Sequence, residues 1–308
     1  MTTCTKCHHT AITYIRYNGT HLCSHHFTDY LERRVKKDLK KQWTTTPTET
    51  IGIALSGGKD STTALSLTHQ IYSKRRHITL HAITVDEGIK GYRDHSLPIA
   101  KKACDTLDID HHIISFKDLL GHTMDEIASL HDEIGECSYC GVFRRRALNH
   151  KGRELGLTRL ITGHNLDDMA QSILMNFANA DMEKLARLGP HAKIQPSFIP
   201  RSMPLRTIPE QETMLYAILQ GLEFHNAECP YAIRAARGTF RDILARLEDA
   251  SPGTRHSILK SYDSIKDLLQ EKYPPITLNH CQACQEPTSQ QYCKTCLLQK
   301  RLASRMTG

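Results

Sequence analysis

From residue 51 onward, short apolar runs alternate with amphipathic stretches. Residues 51–55 (Ile-Gly-Ile-Ala-Leu) form a five-residue apolar run, followed by a glycine-containing turn and a helical pattern over 61–72. A second strand is predicted over 78–85, ending at Asp86-Glu87-Gly88, a third over 111–116, and a fourth over 159–162 that feeds a helix over 166–177. Strands separated by helical segments predict an α/β fold, a parallel sheet with helices on both faces. In such sheets ligands sit beyond the carboxyl ends of the strands. The flanks read differently. Residues 1–26 hold too few apolar side chains to form a core alone, and 29–43 predict a basic amphipathic helix carrying Arg33, Arg34, Lys36, Lys37, Lys40 and Lys41. Residues 44–50 read as a linker and the Pro-rich stretch 196–209 as irregular. Helical patterns return over 210–221 and 239–269, before Pro274-Pro275 breaks the chain.

Composition narrows this picture little: 308 residues, 39% hydrophobic and 24% charged, suit one full α/β domain with small appendages. No apolar stretch approaches the roughly 20 residues that span a bilayer, and Met1 to Cys7 lack the apolar core of a secretory signal. The expected location is the cytoplasm, with no membrane partner. The net charge of +7, from 40 Lys+Arg against 33 Asp+Glu, fits a polyanionic partner. The basic helix is then either a solvated face or part of that contact. Eleven cysteines, an odd number in a chain without a signal, point to metal rather than disulfides.

Ser56-Gly57-Gly58-Lys59-Asp60-Ser61 lies between a predicted strand and a predicted helix, the setting a phosphate cradle requires. Glycines let backbone amides approach oxyanions. The helix N-terminus and Lys59 add positive charge, and Ser56 and Ser61 can donate hydroxyl hydrogen bonds. The spacing differs from the Walker loop, which needs four residues between its first glycine and Gly-Lys.

The cysteines fall into groups. Cys4-x2-Cys7-x15-Cys23-x2-His26 has the spacing of a four-ligand structural zinc site, with His8, His9, His21 and His25 as competitors for the fourth place. Cys281-x2-Cys284-x8-Cys293-x2-Cys296 supplies four thiolates for a second. Cys104 stands alone and reads as a small buried residue. Cys137, Cys140 and Cys229 remain, in the same domain as the loop. Three thiolates are one short of a closed tetrahedral site, but on a cubane iron–sulfur cluster they leave one iron open. A persulfide–disulfide cycle uses the same cysteines, and a zinc site or buried thiols is the plain alternative. Arg144, Arg145 and Arg146, with Arg234, Arg237 and Arg241, flank these cysteines in sequence and are candidate phosphate contacts.

Taken in order, Ser56–Ser61, Val85-Asp-Glu-Gly-Ile-Lys-Gly-Tyr-Arg93, the Cys137–Cys140 pair, Thr162-Gly-His-Asn-Leu-Asp-Asp-Met-Ala-Gln171, Pro204-Leu-Arg206 and Glu228-Cys-Pro-Tyr231 resemble the tRNA 2-thiouridine synthetases of the TtuA and cytosolic wobble-thiolase type. With the terminal knuckles, the resemblance covers nearly the whole chain. It implies a PP-loop ATP pyrophosphatase domain, a 4Fe-4S cluster on Cys137, Cys140 and Cys229, two zinc ions, magnesium, ATP as co-substrate, and a homodimer. It implies a transferase that adenylates the C2 oxygen of a tRNA uridine and replaces it with sulfur. It places Ser56, Gly57, Gly58, Lys59, Ser61, Asp86, Gly163 and Asp168 around ATP. Lys59, Asp60, Asp168 and Arg144 are the implied catalytic groups. Arg144 stands where some members carry a lysine, which keeps the charge but cannot exchange a proton near neutrality. The donor is expected to be sulfide, a persulfide or a ubiquitin-like sulfur carrier. The domain layout expected is 1–27 zinc finger, 28–49 basic helix and linker, 50–273 catalytic domain and 274–308 second zinc finger. Competing readings are a cytidine 2-thiolase, another PP-loop adenylating ligase, and a non-enzymatic zinc RNA-binding protein.

Overall fold

The computed structural model describes residues 2–191, 195, 198–232 and 237–306; Arg234 and Pro196 lie outside the described residues. Two short antiparallel strands, β1 (Thr13–Ile15) and β2 (Thr20–Leu22), lead directly into α1 (Ser24–Gln42). The helix begins earlier than residue 29 because Cys23, a knuckle residue, is its N-cap. Phe27, Leu31, Val35 and Leu39 recur every four residues and bury one stripe against the main core.

The central sheet takes β3 (Glu49–Ala54), β4 (Ile78–Asp86), β5 (Asp110–Ser115), β6 (Arg159–Ile161) and β7 (Arg201–Ser202) in the order β5-β4-β3-β6-β7, every pairing parallel. Its connections carry α2 (Lys59–Tyr72), α3 (Arg93–Leu107), the short α4 (Phe116–Leu120) and α5 (Met124–Ala128), α6 (Glu136–Glu154), α7 (Leu166–Ala178) and α8 (Met182–Ala186). The chain runs outward from β3 to β5 and then returns to place β6 on the other side of β3. The carboxyl ends of β3 and β6 therefore flank a topological switch point, where such sheets bind ligands.

Strand alternation sends side chains to two layers. Ile51, Ile53, Ala82 and Ile161 face a core shared with Leu31, Leu65, Ala100 and Cys104, while Ile83, Val85 and Leu160 face one shared with Tyr139, Phe143 and Ala147. Cys104 is fully buried there.

Three segments depart from the sequence reading. Glu49, in the expected linker, opens β3 and is buried, its carboxylate accepting hydrogen bonds from the Thr46 amide at 2.8 Å and Trp43 Nε1 at 3.4 Å. The Pro-rich stretch contains β7. The helical pattern over 239–269 is two helices, α10 (Arg237–Ala250) and α11 (Thr254–Lys272), after α9 (Glu210–Leu219). They part at Ser251-Pro252-Gly253, where Gly253 takes φ +97° and caps α11. The chain closes with β8 (Asn279–His280), β9 (Pro287–Thr288) and α12 (Lys294–Met306), whose Leu298 and Leu302 sit in the second layer with Tyr139 and Phe143. Among the described residues, no helix is long and apolar enough to cross a membrane.

Candidate active site and metal centres

The turn after β3 is wired by its own serines. Ser61 Oγ accepts from the Ser56 amide at 3.1 Å, donates to the Gly58 carbonyl at 2.9 Å, and lies 3.0 Å from Ser56 Oγ. Gly57 takes φ +80°, and a Cβ there would run into the Ser96 carbonyl. Only glycine serves at that position, and the turn delivers Gly58 as N-cap of α2 with free amides at the helix start. The Lys59 ammonium sits 2.7 Å from Asp60 and 2.8 Å from Glu210 at the start of α9. Burial works against that charge, but the two carboxylates hold its pKa above the ordinary lysine value.

The β6 exit approaches from the other side of the switch point. A Cβ on Gly163 would lie 2.9 Å from the Asp60 carbonyl and the Ser61 amide, so glycine permits the two loops to touch. Asn165 caps α7 reciprocally with Asp168 and donates from Nδ2 to Asp60 at 3.1 Å. Burial raises the Asp60 pKa, and the nearby Asp168 charge raises it further, against the pull of Lys59. Asp168 also lies 3.4 Å from Arg237 Nη1. The two carboxylates thus share Asn165 and feel each other's charge beside the loop, and carboxylates are the donor type magnesium takes. Asp86 ends β4 and accepts the Gly88 amide at 2.9 Å, shaping the turn.

Cys137 and Cys140 stand within the first two turns of α6. The 222–231 segment brings Cys229 to them: His225 donates its amide to the Gly57 carbonyl at 2.8 Å, and Cys137 Sγ lies 3.6 Å from the Tyr231 carbonyl. Cys140, Cys229 and Tyr231 all pack on the second core layer. Burial pushes the Cys140 thiol up to about 11 against the pull of Arg144, and burial, then Cys229, raises Cys137. These are protonated thiols near neutrality that a metal would ionise on binding. The three sulfurs do not crowd within 4.8 Å as the knuckle ligands do.

Arg144 does not stand free. Its Nε lies 2.9 Å from Glu87, which is fully buried, and its Nη2 donates to Cys140 Sγ at 3.2 Å. Glu87 also pairs with Arg93, whose Nη1 donates to the Ser56 carbonyl at 3.0 Å. Desolvation opposes the Arg144 charge, but Glu87 and the Cys140 thiol push its pKa higher still, so the guanidinium stays charged near neutrality. Glu87, Arg93, Asn165 and Glu210 were missed as site residues. Glu87 and Arg93 lie inside a motif singled out above, but their partners are distant in sequence.

The ends gather as their spacing implied. The ligand atoms of Cys4, Cys7, Cys23 and His26 lie within 4.8 Å of one another, as do those of Cys281, Cys284, Cys293 and Cys296. His26 turns Nδ1 toward Cys4 at 3.5 Å and Cys23 at 3.4 Å; His9 reaches Cys7 alone, at 3.4 Å. Backbone amides overcome burial to bring Cys4 and Cys281 down to about 6, readying both for a cation. One expectation fails: Arg34 is not a free surface charge. It bonds Glu212 at 2.8 Å, Tyr17 at 2.5 Å and the Thr207 carbonyl, and so ties the knuckle to α9.

The chain matches known proteins over most of its length. The PP-loop domain family matches residues 28–247, and the N-terminal LIM domain of 2-thiouridine synthetase TtuA matches residues 3–28. The chain is 38% identical to the tRNA 2-thiolation protein NcsA of Haloferax volcanii, over 96% of this chain and 97% of that one. It is 33% identical to the tRNA-5-methyluridine(54) 2-sulfurtransferase of Pyrococcus horikoshii, over 95% and 92%. A solved structure, the U34-tRNA thiolase NcsA from Methanococcus maripaludis with its 4Fe-4S cluster, superimposes with TM-score 0.85 at 35% identity, covering 98% of this chain and 97% of the other.

Proposed function

This chain belongs to the PP-loop family of tRNA 2-thiolation proteins, and on that premise we propose that it is an ATP-dependent tRNA sulfurtransferase acting on uridine 34. The observation that carries the reading is a convergence. Seven of the eleven cysteines belong to the two knuckle sets, Cys104 is buried in the first layer, and the other three lie on α6 and on the segment that His225 ties to the Gly57 carbonyl, with Cys140 and Cys229 packed on one core layer. The uridine target follows the U34 thiolase that superimposes on the chain.

The C2 oxygen of uracil is a poor leaving group. Its attack on the α-phosphorus of ATP, with loss of pyrophosphate, converts it to one that departs as AMP when sulfur attacks C2. Lys59, the Gly58–Ser61 amides and the two serine hydroxyls stabilise charge building on pyrophosphate. Asp60 and Asp168 would hold magnesium, which would supply charge neutralisation for the phosphates. Cys137, Cys140 and Cys229 would hold a 4Fe-4S cluster, which supplies an iron without a protein ligand where an exogenous sulfur can be kept. Cys4, Cys7, Cys23 and His26 would take one zinc, and Cys281, Cys284, Cys293 and Cys296 the other. Sulfide, a persulfide or a carrier's thiocarboxylate are the candidate donors, and the homodimer is carried over from the resemblance.

Anaerobic reconstitution tests the reading. The protein should bind iron and sulfide, lose both when any of Cys137, Cys140 or Cys229 becomes Ser, and form 2-thiouridine at position 34 by nucleoside mass spectrometry of fragmented tRNA. Full thiolation by protein shown to hold no iron would favour the persulfide route. A thiolated position 54 would move the target.

A further inference from the structure

A buried carboxylate between two arginines is an expensive arrangement unless its geometry is used, since apolar replacements of buried ion pairs are often as stable. Glu87 is such a group: fully buried, with Arg93 on one oxygen and Arg144 on the other. Each arginine gives a further donor to an atom of one of the two centres. Arg93 binds the Ser56 carbonyl at 3.0 Å and Ser96 Oγ at 3.2 Å, and Ser96 belongs to the turn of α3 that only Gly57 can pass. Arg144 binds Cys140 Sγ at 3.2 Å. One unbroken run therefore joins the phosphate loop to a cysteine at the sulfur-transfer centre: Ser56, Arg93, Glu87, Arg144, Cys140.

We propose that Glu87 is a positioning residue, locking Arg93 under the phosphate loop and Arg144 against the Cys140 sulfur so that the two reacting centres keep one fixed separation. The proposal rests on the cluster reading above. Two guanidiniums against one carboxylate leave a surplus positive charge, which an anionic metal-bound thiolate at Cys140 would balance. Arg144 is half-exposed, with a side-chain exposure of 49%, so among the described residues its inward pose depends on Glu87 and that sulfur. Without Glu87 the two like charges separate and Arg144 swings out to water. Its N–H···S hydrogen bond withdraws charge from the sulfur, which makes a bound cluster easier to reduce.

The test uses anaerobically reconstituted full-length protein and α,β-methylene ATP. In Arg144→Gln, iron content and nucleotide affinity should match the parent while the midpoint potential of the cluster moves negative. In Glu87→Gln the potential should move the same way, and the analogue should bind more weakly, several-fold or more, because the Arg93 contact to Ser56 loosens. Lys74→Gln, an exposed change just after α2, should move neither. An unchanged potential in Arg144→Gln overturns the proposal, however Glu87→Gln folds. A shift in Arg144→Gln that folded Glu87→Gln does not share also overturns it. Failure of the parent itself to bind iron would instead overturn the cluster reading.

Discussion

At the residue scale, charges that a sequence shows as free turn out to be engaged. Lys59 is held between Asp60 and Glu210, so on the proposed reading ATP draws it from carboxylates to phosphate. Lys59→Ala should lower AMP formation by about 10²- to 10³-fold, the range for losing one preorganised stabiliser, with the melting temperature nearly unchanged. Chromatography of the nucleotide products checks this, and ADP in place of AMP would contradict the assignment. A second case is His256, wedged against Arg34 with Nε2 3.0 Å from its Nη2. Burial, then the Arg34 charge, lowers its pKa to about 4, so the folded protein keeps it neutral while the unfolded chain protonates near 6.5. Its contribution is thus present above pH 6.5 and lost as pH falls from there toward 4. After discounting for partial exposure the loss is about 1–2 kcal/mol. Denaturant titrations at pH 7 and pH 4.5 should show it, and His256→Gln should flatten that difference.

At the scale of elements, α1 has two uses. Its apolar stripe and Arg34 fasten the N-terminal knuckle to α9, while Arg33, Lys36, Lys37 and Lys40 remain exposed. Neutralising those four should weaken tRNA binding and reduce the log–log salt slope by about one for each phosphate no longer neutralised. Filter binding at several salt concentrations, with ATP affinity as control, decides it; an unchanged slope would make the face merely solvated. The C-terminal knuckle bears on α6 in a comparable way. Glu286 pairs with Arg146 and Arg153 of that helix, and Arg301 of α12 binds Asp132 at 2.7 and 2.8 Å just ahead of it. Cys293→Ser should therefore lower zinc content and melting temperature together, since metal binding and local folding are coupled. Retention of all zinc in that variant would refute the four-cysteine site.

At the scale of the whole molecule, the two knuckle sets and the three catalytic-domain cysteines are the candidate metal centres. Protein prepared without oxygen should carry two zinc ions and about four irons per chain. Elemental analysis against protein mass reads both, and a third zinc in place of iron would assign the three catalytic-domain cysteines to a single ion. The arrangement places the phosphate loop at the switch point between β3 and β6 and the two knuckle segments against opposite layers. That division suits a long, charged substrate, because the knuckles brace the helices around the centre without occupying it.

What the sequence determined by itself was everything carried by neighbours along the chain. The apolar runs placed four strands near their true positions, Ser56–Ser61 announced a phosphate turn, and the Cys-x2-Cys spacings grouped the knuckle ligands. Such signals are local because a turn, a helix start and a chelate ring are each built from a few successive residues. Tertiary structure alone decided which partner each buried charge would find. Glu87 meets Arg144, Arg34 meets Glu212, and Asp132 meets Arg301, none of them adjacent in sequence. It also decided that β7 completes the sheet, since a two-residue strand has no periodicity to read and exists only because β6 offers it an edge. Desolvation selects these pairings: a charge leaves water only where the fold presents its opposite, and that place is fixed when the layers close.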